Sequence, residues 1–196
     1  MASLEALRTS LGESAASLAA FVADEQALLA TASFVDAAFR SFDRGGRIFV
    51  CGNGGSMSDA MHFAQEWTGR FRRTRRALPA MAFCDPSVLT CIANDFGYEE
   101  VFARQIEAHG QAGDLLVAIS TSGESANVLR ATAVARDLEL VSVGLLGMGG
   151  GKLASEVDIP IVVPLASTAD RIQEVHIQIL HAVIEAVEHR IFPASD

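Results

Sequence analysis

Short apolar runs at residues 47–51, 80–84, 115–119, 140–145 and 159–163 alternate with stretches of helical periodicity, and no other feature limits the possible folds so tightly. These runs lack the polar–apolar alternation of a half-wet strand, so they suit strands covered on both faces. Helices are expected between them at 58–70, 86–93, 99–109 and 125–137, with a long last one at 169–191. Such alternation predicts an α/β fold: a parallel five-stranded sheet flanked by helices on both faces and joined by right-handed crossovers.

Ahead of the first strand, Leu4, Leu7, Leu11, Leu18, Phe21, Val22, Leu28, Leu29, Phe34, Val35, Ala38 and Phe39 recur at helical spacing. They read as two helices, with Asp24 as the N-cap between them and Gly45-Gly46 as the stop. Residues 1–45 are therefore taken as a helical pair for packing or oligomerisation, and 46–196 as the sheet domain. So much apolar surface needs a partner, either the sheet or another subunit.

A chain of 196 residues can bury a core without disulfides or a structural metal. Its net charge of -9 repels phosphate backbones, so nucleic-acid binding is not expected. One local exception is Arg70, Arg72, Arg73, Arg75 and Arg76, which reads either as a solvated turn after a helix or as a grip on phosphate or a neighbouring subunit's acidic surface. Cys51, Cys84 and Cys91 have neither an even count nor metal-site spacing, which fits a reducing compartment. The first residues lack a signal-peptide core, and no segment approaches the roughly 18 uncharged apolar residues of a membrane span. No membrane association and a cytoplasmic location are expected.

In open parallel sheets, ligands bind beyond the carboxyl ends of the strands. The first expected strand runs into Cys51-Gly52-Asn53-Gly54-Gly55-Ser56 and the third into Ser120-Thr121-Ser122-Gly123-Glu124-Ser125, each followed by a helix. A helix N-terminus with glycine and hydroxyl groups before it holds phosphate well. Either loop alone could simply cap a helix; two at equivalent strand ends favour phosphate. Neither carries the Gly-Lys-Ser/Thr of a P-loop or G-x-G-x-x-G, so no nucleotide cofactor is expected.

His62 and Glu66 lie four apart and so share one helix face, suited to acid–base work or half a zinc site, though a surface hydrogen-bonded pair has the same spacing. Gln173 and His181 interrupt an apolar helix, and burying them requires partners. Eight residues separate them, about 12 Å along an axis, so both hardly reach one ion from one straight helix. They are expected to meet His62 and Glu66 partly across a subunit boundary. His176 is assigned to packing, His189 to solvent and His109 to a helix end.

Taken together, the 51–56 loop, Asp59-Ala60-Met61-His62-Phe63-Ala64-Gln65-Glu66, Asn94-Asp95-Phe96-Gly97, Ser120-Thr121-Ser122-Gly123 and Ala169-Asp170-Arg171-Ile172-Gln173-Glu174 resemble the phosphoheptose isomerases, a family of SIS-domain sugar isomerases. The likeness spans residues 47–192. It implies a flavodoxin-like three-layer fold and isomerisation of sedoheptulose 7-phosphate to D-glycero-D-manno-heptose 7-phosphate. It also implies Glu66 as base, His181 as acid, and zinc on His62, Glu66, Gln173 and His181, in a tetramer with sites between subunits. Substrate contacts are expected from Asn53, Gly54, Gly55, Ser56, Glu66, Asn94, Asp95, Ser120, Thr121, Ser122, Ser125, Asp170 and Gln173. Met57, Ser58, Gln65 and Glu124 depart from the usual pattern but remove no group the chemistry needs. A catalytically silent SIS scaffold that binds a protein such as a replication initiator is the rival reading. A scaffold has no reason to keep His62, Glu66 and His181 together.

Overall fold

The computed structural model describes residues 2–165 and 168–193. Two helices lead, α1 (Ala2–Ala23) and α2 (Glu25–Asp43), followed by β1 (Ile48–Gly52), α3 (Gly55–Thr68), β2 (Ala80–Ala82) and α4 (Pro86–Phe96). After a 3-10 turn at Tyr98–Glu100 come α5 (Ala103–His109), β3 (Leu115–Ser120), α6 (Ala126–Asp137), β4 (Val141–Leu146), α7 (Leu153–Glu156), β5 (Ile159–Val162) and α8 (Ala169–Ile191). The strands form one sheet in the order β2-β1-β3-β4-β5, every pair parallel. This is the expected three-layer fold.

Side chains of successive strand residues point to opposite faces, and the sheet divides its core accordingly. Ile48, Val50, Leu115, Val117, Ile119, Val143 and Leu145 pack against Phe34, Phe63, Trp67 and the apolar face of α8. Phe49, Cys51, Leu116 and Ala118 pack on the other side with Phe102, Ile106, Val128 and Ala131. Cys51 is fully enclosed, and burial pushes its thiol up to about 12, so it packs as an inert hydrophobe.

The lead helices divide their apolar surface. Asp24 caps α2 by accepting from the Ala27 amide at 3.1 Å, and Gly45, at φ 80°, stops it. Phe34, Ala38 and Phe42 of α2 join the sheet core, whereas Leu4, Leu7 and Leu11 of α1 stay open to solvent in the single chain.

Several expected bounds move. The helix anticipated at 58–70 begins at Gly55, because Gly54 takes φ 56° and the chain turns straight into it. The stretch at 99–109 is not one helix: Gly97, at φ 94°, ends α4, and the 3-10 turn intervenes before α5. The expected strand at 80–84 pairs over Ala80–Ala82 only, on the sheet edge. No single helix among the described residues is long and apolar enough to cross a membrane.

Candidate active site

The loops after β1 and β3 meet at the carboxyl edge of the sheet. Beyond β3, Ser120 Oγ lies 3.2 Å from Ser125 Oγ and accepts from the Gly123 amide at 3.1 Å, while Ser122 Oγ accepts from the Glu124 amide at 3.2 Å. The hydroxyls thus face inward around a tight turn, with Thr121 beside them. No side chain caps the first turn of α6, which leaves its amide end for an anion.

A second loop buttresses this turn. Gly123 has φ 68°, and a Cβ there would lie 1.9 Å from the Gly150 carbonyl oxygen. Gly151 is as tightly placed, with a Cβ falling 2.5 Å from the Ser122 carbonyl. The Leu153 amide donates to Gly123 O at 3.0 Å, and the Lys152 ammonium lies 2.9 Å from the Glu124 carboxylate. Glu124, at the variable place of the Ser120–Ser125 loop, ties the serine loop to the glycine loop after β4.

Beyond β1, Asn53 is held rather than free. It exchanges two amide hydrogen bonds with Asn127, at 2.9 and 2.8 Å, and accepts from the Tyr98 hydroxyl at 3.0 Å. Gly54 and Gly55 then enter α3, and Ser56 is buried beneath them. The Gln173 amide covers Gly55 so closely that a Cβ would lie 2.6 Å from either of its terminal atoms.

α3 and α8 carry the acid–base groups. His62 Nε2 lies 3.3 Å from Glu66 Oε1 and 3.3 Å from His181 Nε2. The His181 ring also stacks on Phe71, centroids 5.6 Å apart. Burial pushes the His181 imidazole below the ordinary histidine range, helped by His62 and Arg72 and opposed by Glu66. Of the contacts expected partly across a subunit boundary, the one between His181 and His62 forms within one chain, because α3 and α8 lie side by side. Gln173 does not join them; it meets Gly55, which is seven residues or about 10 Å of helix ahead of His62.

The donor set fits zinc in kind, two imidazoles and a carboxylate. With bonds of about 2.0–2.1 Å, donors around a tetrahedral zinc stand about 3.3 Å apart, which matches both contacts of His62. Those contacts also compete without a cation, since one proton on His62 Nε2 cannot serve both neighbours fully. The third edge is open, however, and among the described residues no three His, Cys, Asp or Glu side chains converge on one point.

Asn94 and Asp95 fall in the last turn of α4, exposed, with the Asn94 amide donating to Asp95 Oδ1 at 2.8 Å. Asp170 opens α8 and is exposed; a Thr168 hydrogen bond holds its carboxyl below the usual range. It makes no contact with His181, whose ring neighbours are His62 and Phe71. An apolar hollow of about 350 Å3 lined by Arg47, Thr68, Leu78 and Met81 lies at the opposite, amino edge of the sheet and holds no acid–base group.

Residues 11–147 match the SIS domain family. Phosphoheptose isomerase of Fusobacterium nucleatum is 48% identical over 175 residues, 89% of this chain and 90% of that protein. The Escherichia coli K12 DH10B enzyme of the same name is 46% identical over 182 residues, 93% of this chain and 95% of its own. The chain belongs to the phosphoheptose isomerase family. The solved phosphoheptose isomerase of Francisella tularensis superposes with a TM-score of 0.90 at 33% identity, covering 96% of this chain and 100% of that one. That of Neisseria gonorrhoeae gives 0.88 at 36%, covering 94% and 98%. The protein is a sugar-phosphate isomerase, and the scaffold alternative finds no support.

Within this isomerase, the arginine cluster departs from the solvated-turn reading. The Arg75 side chain is enclosed: its Nε donates to Glu188 Oε1 at 2.7 Å, and the side chain is 2% exposed. Arg72 pairs with Glu185, and Arg73 donates to the Phe192 carbonyl at 2.7 Å. The acids they find belong to the same chain. Asn127, Tyr98, Gly150 and Gly151 also escaped sequence reasoning; the Gly149-Gly150-Gly151 run was the visible signal.

Proposed function

We propose that the enzyme converts sedoheptulose 7-phosphate to D-glycero-D-manno-heptose 7-phosphate, the first step toward nucleotide-activated heptose, in the cytoplasm. The observation that carries the chemistry is a carboxylate and an imidazole gathered about His62 on neighbouring helices, each 3.3 Å from its Nε2. The relatives' shared name supports the seven-carbon substrate.

Aldose–ketose exchange moves one proton between adjacent carbons and another between their oxygens. Glu66 takes the proton from C1 of the ketose, and the electron pair forms the C1–C2 double bond of an enediolate. His181 Nε2 donates to the C2 oxygen and recovers a proton from the C1 hydroxyl, so the ring ends as it began. Glu66 returns its proton to C2, and the aldehyde forms at C1. Zinc held by His62, Glu66, Gln173 and His181 would polarise the carbonyl oxygen in place of the His181 Nε2 proton, since that nitrogen cannot both ligate a metal and donate.

Ser120, Thr121, Ser122 and Ser125 hold the phosphate. Asn53, Gly54, Gly55, Ser56, Asn94, Asp95, Asp170 and Gln173 line the sugar. Glu66 lies eleven residues from Gly55, about 16 Å along α3, which an extended seven-carbon sugar phosphate does not span. That separation supports a tetramer in which the serine loop of one subunit and the acid–base pair of another share a substrate, with Gln173 reaching the metal across the same boundary. The open leucines of α1 offer such an assembly an apolar contact face.

The test is incubation of metal-analysed protein with sedoheptulose 7-phosphate, following the aldose phosphate formed. Turnover with zinc near one per site supports the reading; no turnover by zinc-replete protein refutes it.

A further inference from the structure

The Arg75 side chain is almost wholly enclosed, and the chemistry above does not use it. Its guanidinium spends its donors on one place. Nη2 donates to the Glu66 carbonyl at 2.7 Å, and Nη1 to the Trp67 carbonyl at 2.7 Å and the Gly69 and Arg76 carbonyls at 3.2 Å. Nε donates to Glu188, whose side chain is 3% exposed. The carbonyls of Glu66 and Trp67 belong to the last turn of α3, where the helix itself supplies no donors. A cation there also meets the negative end of the helix dipole.

Glu188 is seven residues beyond His181, two turns along α8 and on nearly the same face. One buried ion pair therefore links the backbone of Glu66 to the helix that carries His181. We infer that Arg75 and Glu188 are positioning residues that lock the last turn of α3 against α8 and so set the placement of the base relative to the acid. This rests on Glu66 and His181 being the reacting pair. The planar fork is essential, because a lysine ammonium cannot grip two adjacent carbonyls and a carboxylate from one fixed plane.

The role separates from mere support of the fold through kcat and KM. The phosphate-holding loops lie at the other end of α3, so loosening its last turn affects turnover rather than substrate binding. Arg75→Lys is expected to lower kcat on sedoheptulose 7-phosphate by about 10- to 100-fold, with KM changed less than about threefold, in line with misplaced catalytic geometry. Arg75→Met with Glu188→Met removes the pair without stranding a charge, a replacement that buried pairs often tolerate. It is expected to fold, to unfold near the wild-type temperature and to keep the low kcat.

Rates are taken per folded subunit, well below each variant's melting temperature, in the assembled enzyme. A double variant with wild-type kcat overturns the positioning role, as does a loss confined to KM. Should Arg75→Lys fail to fold, the double variant decides alone. Glu66→Gln, run alongside, separates the two readings. If it is active, the assignment of the base fails; if it is dead while the double variant is fully active, only the positioning role fails.

Discussion

Gly123→Ala tests the link between backbone geometry and phosphate binding. The new Cβ would stand 1.9 Å from the Gly150 oxygen, 2.4 Å from its carbonyl carbon and 2.9 Å from the Gly151 nitrogen, all backbone atoms that cannot rotate aside. Relieving the first contact moves one of the two loops by about 1 Å or more, since a side-chain carbon and a carbonyl oxygen rarely approach within about 3 Å. The left-handed φ of 68° adds about 1–2 kcal/mol for any residue with a Cβ. Overpacking adds roughly 1–3 kcal/mol. A displacement of 1 Å takes a hydroxyl or amide out of hydrogen-bond range of a phosphate oxygen, and one bond to a charged group contributes about 1.5–3 kcal/mol. KM for the sugar phosphate should rise roughly 10- to 150-fold, and the thermal midpoint should fall by several degrees. Steady-state kinetics and a melting curve measure both. A KM within twofold of wild type and an unmoved melting point would refute the assignment of 120–125 as the phosphate seat braced by 147–152.

Glu66→Gln should keep the fold and lower turnover by about 10³-fold or more, and His181→Gln should act similarly; near wild-type rates in a coupled assay would move the roles elsewhere. His176 is fully buried, with Nε2 3.2 Å from the Leu146 carbonyl, and burial pushes its imidazole down to about 4. Its unfolded form binds protons first, so its contribution is whole above about pH 6.5 and is lost as pH falls toward 4, up to about 3 kcal/mol. Urea unfolding from pH 7.5 to 4.5 should show that slope, and His176→Met should flatten it. If the proposed tetramer forms through α1, Leu7→Asp with Leu11→Asp should split it and abolish turnover, read by sedimentation and activity; an intact, active tetramer would remove α1 from the interface.

What the sequence disclosed follows from the range of the forces involved. The buried strands were legible because central parallel strands, covered on both faces, are apolar along their whole length; Leu115–Ser120 is buried at every position. Asp24 and Gly45 were legible because caps and stops act within one turn. The break between Tyr98 and Ala103 was not, since Glu99 to His109 has helical composition and Gly97 sets the turn from outside it. Nor was the enclosure of the Arg75 side chain, whose partner lies 113 residues away in a helix with exposed acids on other faces. Five arginines together left a solvated turn and an intermolecular grip both open to reading, because local composition carries no information about Glu188.

The acid–base site shows the same division more sharply. Helix spacing alone establishes that Gln173 and His181 cannot both reach one point from one straight α8, and the structure agrees by placing them at separate stations, over Gly55 and beside His62. Spacing does not say which of the two leaves the chain's own cluster. That depends on the alignment of α3 with α8, which the Phe63 and Trp67 contacts with the α8 core face and the Arg75–Glu188 pair determine. With His181 beside His62, the proposed zinc site draws only Gln173 from a second subunit. Its replacement by Ala should therefore weaken zinc retention yet leave the His62–His181 contact unchanged. Equilibrium dialysis against a chelator, with histidine ring NMR of the metal-free protein, measures both. Undiminished zinc affinity would show that three ligands from one chain suffice, and a displaced His181 resonance would show that Gln173 supports the pair from within.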